Sequence, residues 1–255
     1  MARRSVDEKP TTAGTRPVRA ADSVERAYAR IKDFAVDYRF RPGERINEVE
    51  LAAELAVSRT PVRAALNRLE RDGFVTSVPN KGFFARGLTP EAVRDLYELR
   101  AAIERAAFVL ACDRATGAEI EATAGAWTKH SSLEDEGSWA RIAVADESFH
   151  MALTHLSKNA QMVSALESLC SRIRFFRRID LESSPRRERT YREHDAIIRA
   201  LRHRDAAGGA ALLEKHITLS STHAIEVATR GLARLFPDAV VQEEAAGTRA
   251  GGETA

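Results

Sequence analysis

The segment from Val57 to Gly73 constrains this 255-residue chain more than any other stretch. Ser58 reads as a helix N-cap, and Pro61 stands inside the first turn, where its missing N–H costs nothing. Gly73 supplies the left-handed stop. Val62, Leu66 and Leu69 recur at i, i+4 and i+7, so that stripe must face a core. The opposite side carries Arg59, Arg63 and Asn67 at steps of four, groups that can fork onto phosphates or onto the edges of guanine and adenine. A short helix over about 48–56 precedes it, with Leu51, Ala52 and Leu55 inward. The joining Ala56-Val57-Ser58 is very short. Two helices coupled so tightly, the second basic on its outer side, read as a helix-turn-helix.

The residues that follow extend the motif. Phe74-Val75-Thr76-Ser77 and Phe83-Phe84-Ala85-Arg86 are rich in β-formers, and Pro79-Asn80-Lys81-Gly82 between them is a turn. A two-stranded ribbon with a basic tip behind a recognition helix is a wing. In order and spacing, Ile46, Glu48, Leu51-Ala52, Leu55, Val57-Ser58-Arg59-Thr60-Pro61-Val62-Arg63, Ala65-Leu66, Leu69, Gly73, Val75, Pro79 and Gly82 resemble the winged helix-turn-helix of the GntR family of bacterial transcription regulators. Ala64 departs from the glutamate common there, at a position that does not touch DNA in the family. The resemblance implies that Ser58, Arg59, Thr60, Arg63 and Asn67 meet the major groove and its phosphates. Lys81 and Gly82 at the wing tip would reach a phosphate or the minor groove.

Charge agrees with that division of labour. Residues 1–88 hold 17 Lys and Arg against 12 Asp and Glu, and the remainder 22 against 25. The nucleic-acid footprint therefore belongs to the first third. No apolar run approaches the ~18 residues a membrane span needs, so no membrane partner is expected. The N-terminus has arginines but no apolar core behind them, unlike a secretory signal. Cys112 and Cys170 have no metal or redox spacing and read as buried free thiols, which suits a reducing cytoplasm.

In chain order, residues 1–21 are polar with Pro10 and Pro17 and read as a flexible arm. Residues 22–87 form the winged domain, whose first helix opens at Asp22 or Ser23 and runs to about Tyr38. Gly87 to Pro90 is a hinge, after which Thr89 caps and Pro90 begins a new helix. From 88 to 235 six helices fit, about 90–115, 118–134, 138–156, 159–181, 187–203 and 205–232, and short connections argue an antiparallel bundle. Residues 236–255 read as a disordered tail. The fold class is mainly α: an N-terminal winged helix-turn-helix followed by an all-α antiparallel bundle.

Polar groups interrupt the apolar stripes of this bundle. Asp146 and His150 share a face with Ile142, Phe149 and Leu153. His194 lies on a stripe with Tyr191, Ile198 and Leu201, and His216 on one with Leu212, Leu219, His223 and Val227. A buried, unpaired carboxylate would cost several kcal/mol, so it needs partners. Three imidazoles and one carboxylate from three helices could grip a transition metal; hydrogen-bonded core histidines and a plain Asp/His ion pair are the alternatives. Asp146-x-x-Phe149-His150, Glu193-His194-x-x-Ile197 and Lys215-His216-Ile217 resemble the metal-binding signature of the FadR C-terminal-domain (FCD) subfamily of GntR regulators. That resemblance implies Asp146, His150, His194 and His216 as ligands, with Zn²⁺ or Ni²⁺ suited to imidazole-rich ligation.

Arg100 falls between Leu96 and Ile103 on the first bundle helix's stripe of Val93, Leu96, Leu99, Ile103 and Leu110. Glu104 at i+4 could neutralise it, or, as the subfamily implies, it could face an effector cavity. A guanidinium beside a metal suits a small carboxylate. Arg172 is a second candidate for that task, and His223 could touch metal ligands or effector. Arg177, Arg178 and residues 186–189 are expected at a solvated helix end and loop. The reading is a cytoplasmic, homodimeric repressor on a two-fold-symmetric double-stranded operator, not an enzyme, controlled by a small organic acid. A metal-dependent hydrolase fused to a DNA-binding head, or a regulator with a purely structural metal, is the alternative.

Overall fold

The computed structural model describes residues 20–87, 89–131, 139–181 and 184–235. Residues 1–19 of the expected arm and the whole expected tail, 236–255, lie outside the described residues. Helix α1 (Ala20–Val36) begins two residues before the expected boundary and ends short of Tyr38, which adopts a left-handed φ of 52°.

Helices α2 (Glu48–Glu54) and α3 (Arg59–Arg71) form the helix-turn-helix. Asn47 starts α2, its side-chain oxygen accepting from the amides of Val49 and Glu50 at 3.0 and 3.3 Å. Ser58 has the extended backbone of an N-cap but makes no side-chain capping bond, so the expected hydroxyl cap is absent. The tight link instead uses a left-handed Ala56 (φ 52°) and the amide of Val57 donating to the Ala52 carbonyl at 3.0 Å. Beyond α3, Gly73 takes φ 77°, and the Phe74 amide returns to the Leu69 carbonyl at 2.9 Å, which turns the chain into the wing.

Strands β1 (Val75–Val78) and β2 (Gly82–Ala85) are antiparallel, with Val75 opposite Ala85 and Val78 opposite Gly82. Asn80 (φ 62°) and Gly82 (φ 94°) shape the tip around Lys81. Ile31, Leu51, Val62, Leu66, Leu69 and Phe83 close one core beneath α3 and the wing. Truncating Leu66 or Leu69, both fully buried, would cost about 2–5 kcal/mol.

The second unit consists of α4 (Pro90–Arg114), α5 (Gly117–Ser131), α6 (Trp139–Leu156), α7 (Ala160–Asp180), α8 (Ser184–Arg202) and α9 (Ala206–Leu235). Thr89 caps α4 through Oγ1, which accepts from the Ala92 amide at 3.2 Å, with Pro90 in the first turn. Helix α8 starts earlier than the sequence suggests, because Pro185 sits in its opening turn and breaks nothing. Helix α4 runs through the bundle against α6, α7 and α9. Tyr97, Phe108, Trp127, Phe149, Ile173, Phe176, Ile197 and Ile217 form the core. Cys112 and Cys170 are free and buried, and burial pushes the Cys170 thiol up to about 12.

Two stripes are rotated from their expected faces. On α4 the buried side is Val93, Leu96, Tyr97, Arg100, Glu104, Ala107, Phe108 and Ala111, while Leu99 is 51% exposed. On α9 it is Leu213, His216, Ile217, Ser220 and Ala224, while Leu212 is 37% exposed. The winged unit is seated on α7: Tyr38 packs against Phe175 and Phe176, and Arg178 pairs with Asp37 at 2.9 Å.

Candidate functional site

Ser58, Arg59, Thr60, Arg63 and Asn67 are all exposed on the outer side of α3, opposite buried Val62, Ala65, Leu66 and Leu69. Among the described residues, Arg59 and Arg63 make no ion pair. Arg68, by contrast, is tied to Glu25 at 2.8 Å and Arg39 to Glu54 at 2.6 Å. Lys81 is exposed at the wing tip. Arg45, which the sequence did not single out, shares a groove of about 310 Å³ with Asn47, Glu48, Val49, Arg59 and Gly82. Its signal was the short extended run before Asn47, which bridges to Phe84 and so places Arg45 beside the wing.

In the bundle, Asp146 and His150 from α6, His194 from α8 and His216 from α9 converge. One ligand atom from each lies within 4.8 Å of the other three, and all four residues are buried. His194 Nε2 is 3.3 Å from His216 Nε2 and 3.6 Å from Asp146 Oδ1, and His150 Nε2 is 3.9 Å from Asp146 Oδ1.

The imidazoles are oriented from behind. His150 Nδ1 is 2.6 Å from Glu104 Oε2, and His216 Nδ1 is 2.7 Å from Glu193 Oε2. A carboxylate behind Nδ1 keeps the proton there and turns the Nε2 lone pair inward. His194 stacks on Phe149, centroids 3.9 Å apart at 17°, with the edge of Trp127 at 4.4 Å. Asp146 Oδ1, His150 Nε2 and His194 Nδ1 are buried and have no hydrogen-bond partner among the described residues.

This donor set fits a metal ion. Donors ~2.1 Å from a tetrahedral centre stand roughly 3.4 Å apart; three of the six donor pairs here stand 3.3–3.9 Å apart, and all lie within 4.8 Å. Three inward imidazole nitrogens and one carboxylate oxygen suit a borderline divalent cation rather than Mg²⁺ or Ca²⁺.

Electrostatics keep the imidazoles neutral, as ligation requires. Burial pushes His216 down to about 4, against the pull of its Glu193 bond. Burial, reinforced by His216 and His150, holds His194 well below the ordinary range. Burial also lowers His150. Against burial, the Arg100 guanidinium and His150 hold the Glu104 carboxyl far below its usual value, and Arg177 lowers Asp146 against its own burial.

Arg100 is fully buried, and its Nε donates to Glu104 Oε1 at 2.6 Å. It is thus neutralised by Glu104 and is also linked through it to His150, with Nη1 left without a partner among the described residues. Two of the expected effector residues are not brought to the cluster. Arg172 lies at the junction with the winged unit, beside Gly73 and Arg86. His223 is 42% exposed near Glu226, because the buried face of α9 passes through Ser220 and Ala224 rather than through residue 223.

Conversely, Arg177 and Arg186 are not solvated. Arg177 is buried, its Nη2 hydrogen-bonded to Asp146 Oδ2, with Nε and Nη1 unpartnered among the described residues. Arg186 is buried among Asp180 (3.1 Å), Thr190 (3.0 Å) and Ser220 (2.6 Å). Both were findable by register. Arg177 follows Cys170 and Ile173 by seven and four, and Arg186, Thr190 and His194 step by four along α8.

A winged helix-turn-helix joined to an all-helical bundle with an internal His/Asp cluster defines a DNA-binding transcriptional regulator. The description "Bacterial regulatory proteins, gntR family" matches residues 23–85, and "FCD domain" matches residues 95–219. The chain is 43% identical over 202 residues to the Nta operon transcriptional regulator of Aminobacter aminovorans, covering 79% of this chain and 94% of that one. It is 28% identical over 199 residues to the regulator LutR of Bacillus subtilis, covering 70% and 90%. Among solved structures, E. coli McbR/YncC superposes with a TM-score of 0.65 at 20% identity, over 80% of this chain and 97% of that one. The GntR regulator of Rhodococcus sp. RHA1 gives 0.61 at 24% identity over the same shares. The chain belongs to the GntR family and carries its FCD domain. These relatives are transcriptional regulators, not enzymes, so the hydrolase alternative falls away. No described helix is long and apolar enough to cross a membrane.

Proposed function

We propose that this regulator is a metal-dependent repressor whose operator affinity is set by a small organic acid bound at the Asp146/His150/His194/His216 cluster. The observation that carries the reading is the inward convergence of three Nε2 atoms and one carboxylate oxygen, with Glu104 and Glu193 behind two of the rings. A Zn²⁺ or Ni²⁺ ion there would supply a cationic anchor for a carboxylate oxygen. Arg177 provides two buried N–H-bearing atoms without partners and Arg100 one, and these are donors suited to the rest of such an anion. In this reading Arg177 takes the part expected of Arg172.

A groove of about 450 Å³ between α8 and α9 is lined by Arg189, Arg192 and Lys215 together with Glu193 and His216. Its charge favours an anionic ligand. On the DNA side, Arg59, Thr60, Arg63 and Asn67 read the major groove, with Ser58, Lys81 and Gly82 at the phosphates. One winged head buries too little for high selectivity, so a homodimer on a two-fold-symmetric operator follows. The exposed Leu99 and Val109 on α4 (51% and 45%) supply apolar surface for pairing. The regulator would work in the cytoplasm, where its operator is.

One observation favours a purely structural metal: the four ligands are at most 1% exposed. The two readings separate experimentally. Native mass spectrometry with elemental analysis of gently purified protein should find one Zn²⁺ or Ni²⁺ per chain, a dimer, and a retained acid. Metal removal should alter operator binding in a gel shift while the bundle stays folded. Unfolding on chelation, with no acid shifting the melting temperature of the metal-loaded protein, would make the ion structural only.

A further inference from the structure

The junction between the winged unit and the bundle holds a second basic site, separate from the cluster above. Arg86, at the end of the wing, and Arg172, on α7, are brought together over Gly73. Arg86 Nη1 and Arg172 Cζ lie 3.2 and 3.4 Å from the point a Cβ at Gly73 would occupy. Arg86 Nη1 donates to the Gly73 carbonyl at 3.0 Å. Among the described residues, neither guanidinium makes an ion pair, and no carboxylate lines the crevice they share. Its walls are Tyr38, Phe74, Leu96, Ser171 and small residues. Two like charges in a partly desolvated cleft repel, and burial together with Arg86 lowers Arg172 to about 10.

We propose that this crevice binds a small tetrahedral oxyanion, held between Arg86 and Arg172. Two guanidinium forks match the geometry of phosphate-type oxygens better than any other common partner. The cavity measures about 50 Å³, room for about four water-sized groups at ~10–15 Å³ each. A space of that order suits a small anion such as phosphate. Because one arginine belongs to each unit, a bound anion bridges them and stiffens the seat of the DNA-binding head on α7.

The test is isothermal titration of the full-length chain with inorganic phosphate, at ionic strength held constant with chloride. Saturable binding is expected in the unaltered protein. Arg172→Gln and Arg86→Gln, which remove one fork from each side, should each weaken it at least tenfold. Arg63→Ala should leave it unchanged, which separates this site from the DNA face. Melting curves supply a second readout: phosphate should raise the melting temperature of the unaltered protein and not that of R172Q. No saturable binding, binding that survives R172Q and R86Q, or binding lost in R63A would overturn the proposal.

Discussion

Tyr38 lies against Phe175 with ring centroids 4.5 Å apart, so the turn that ends α1 rests on the helix that also reaches the His/Asp cluster. Two residues further along α7, Arg177 holds Asp146, while Phe176 between them meets Tyr38 edge-on at 5.8 Å. One rigid helix therefore touches the DNA-binding unit on one side and a candidate ligand-binding carboxylate on the other. Tyr38→Ala removes the aromatic contact and should uncouple the two. Operator affinity without effector should change little, while the shift produced by metal or acid shrinks. A coupling of ~1.4 kcal/mol is tenfold in affinity, so the loss is measurable by fluorescence anisotropy. A full-sized response in the variant would exclude this contact as the route.

Arg63 is exposed on the outer side of α3 and, among the described residues, makes no ion pair. Arg63→Ala should weaken operator binding by about 1–3 kcal/mol and relax specificity at the base it reads. Lys81→Ala should instead weaken binding to all sequences alike and reduce the salt slope by about one. Equal losses on operator and random duplex for R63A would reassign that arginine to the backbone.

Much of this was legible because it rests on local spacing. Val62, Leu66 and Leu69 fix which side of α3 is buried, and the steps of four that place Arg59 and Arg63 outside follow without any tertiary information. The four cluster residues each interrupt an apolar stripe, and their polarity exposed them. What failed was helix rotation where apolar residues come in doublets. Leu212-Leu213 allows two stripes through His216; packing against α4 selects Leu213, which swings His223 toward solvent. Arg177 was hidden by its neighbour Arg178, since a doublet of arginines near a helix end imitates a solvated terminus. The demand that buried Asp146 find a cation could have singled it out.

The carboxylates behind the imidazoles offer a cleaner test of metal binding than the ligands. Glu104→Gln would leave Arg100 buried without its counter-charge and destabilise the bundle by several kcal/mol. Glu193 is 21% exposed, so Glu193→Gln should fold, yet it loosens the hold on His216 Nδ1. Metal affinity should fall about 10–100-fold, read by competition with a chromogenic chelator. His194→Ala should abolish tight binding. Unchanged affinity in both variants would remove the cluster from consideration.

Acid should destabilise the metal-free protein in a defined window. His216 is lowered by burial from 6.5 to about 4, and His194 and His150 are lowered as well. Below about pH 6.5 the unfolded imidazoles take up protons while the native ones do not. Stability is therefore complete above that pH and declines toward pH 4, by up to about 1.4 kcal/mol per pH unit for each ring. Urea melts of chelator-treated protein between pH 7.5 and 5 should show the decline. A flat profile would mean that the rings are not buried and neutral.

Two glycines should respond oppositely to alanine although both lie within helices. Glycine-to-alanine in a helix interior normally stabilises by about 0.5–1 kcal/mol. At Gly125 on α5 nothing among the described residues stands within 4 Å of the added methyl, and that gain should appear in full. At Gly209 on α9 the methyl would collide with the Phe108 ring of α4 and press on Ala200 of α8. Overpacking of this kind costs about 1–3 kcal/mol, which outweighs the propensity gain. Gly209→Ala should therefore lower the midpoint of urea unfolding, and adding Phe108→Leu should recover part of the loss. An unaltered midpoint in G209A would mean that α4 and α9 pack less closely than described.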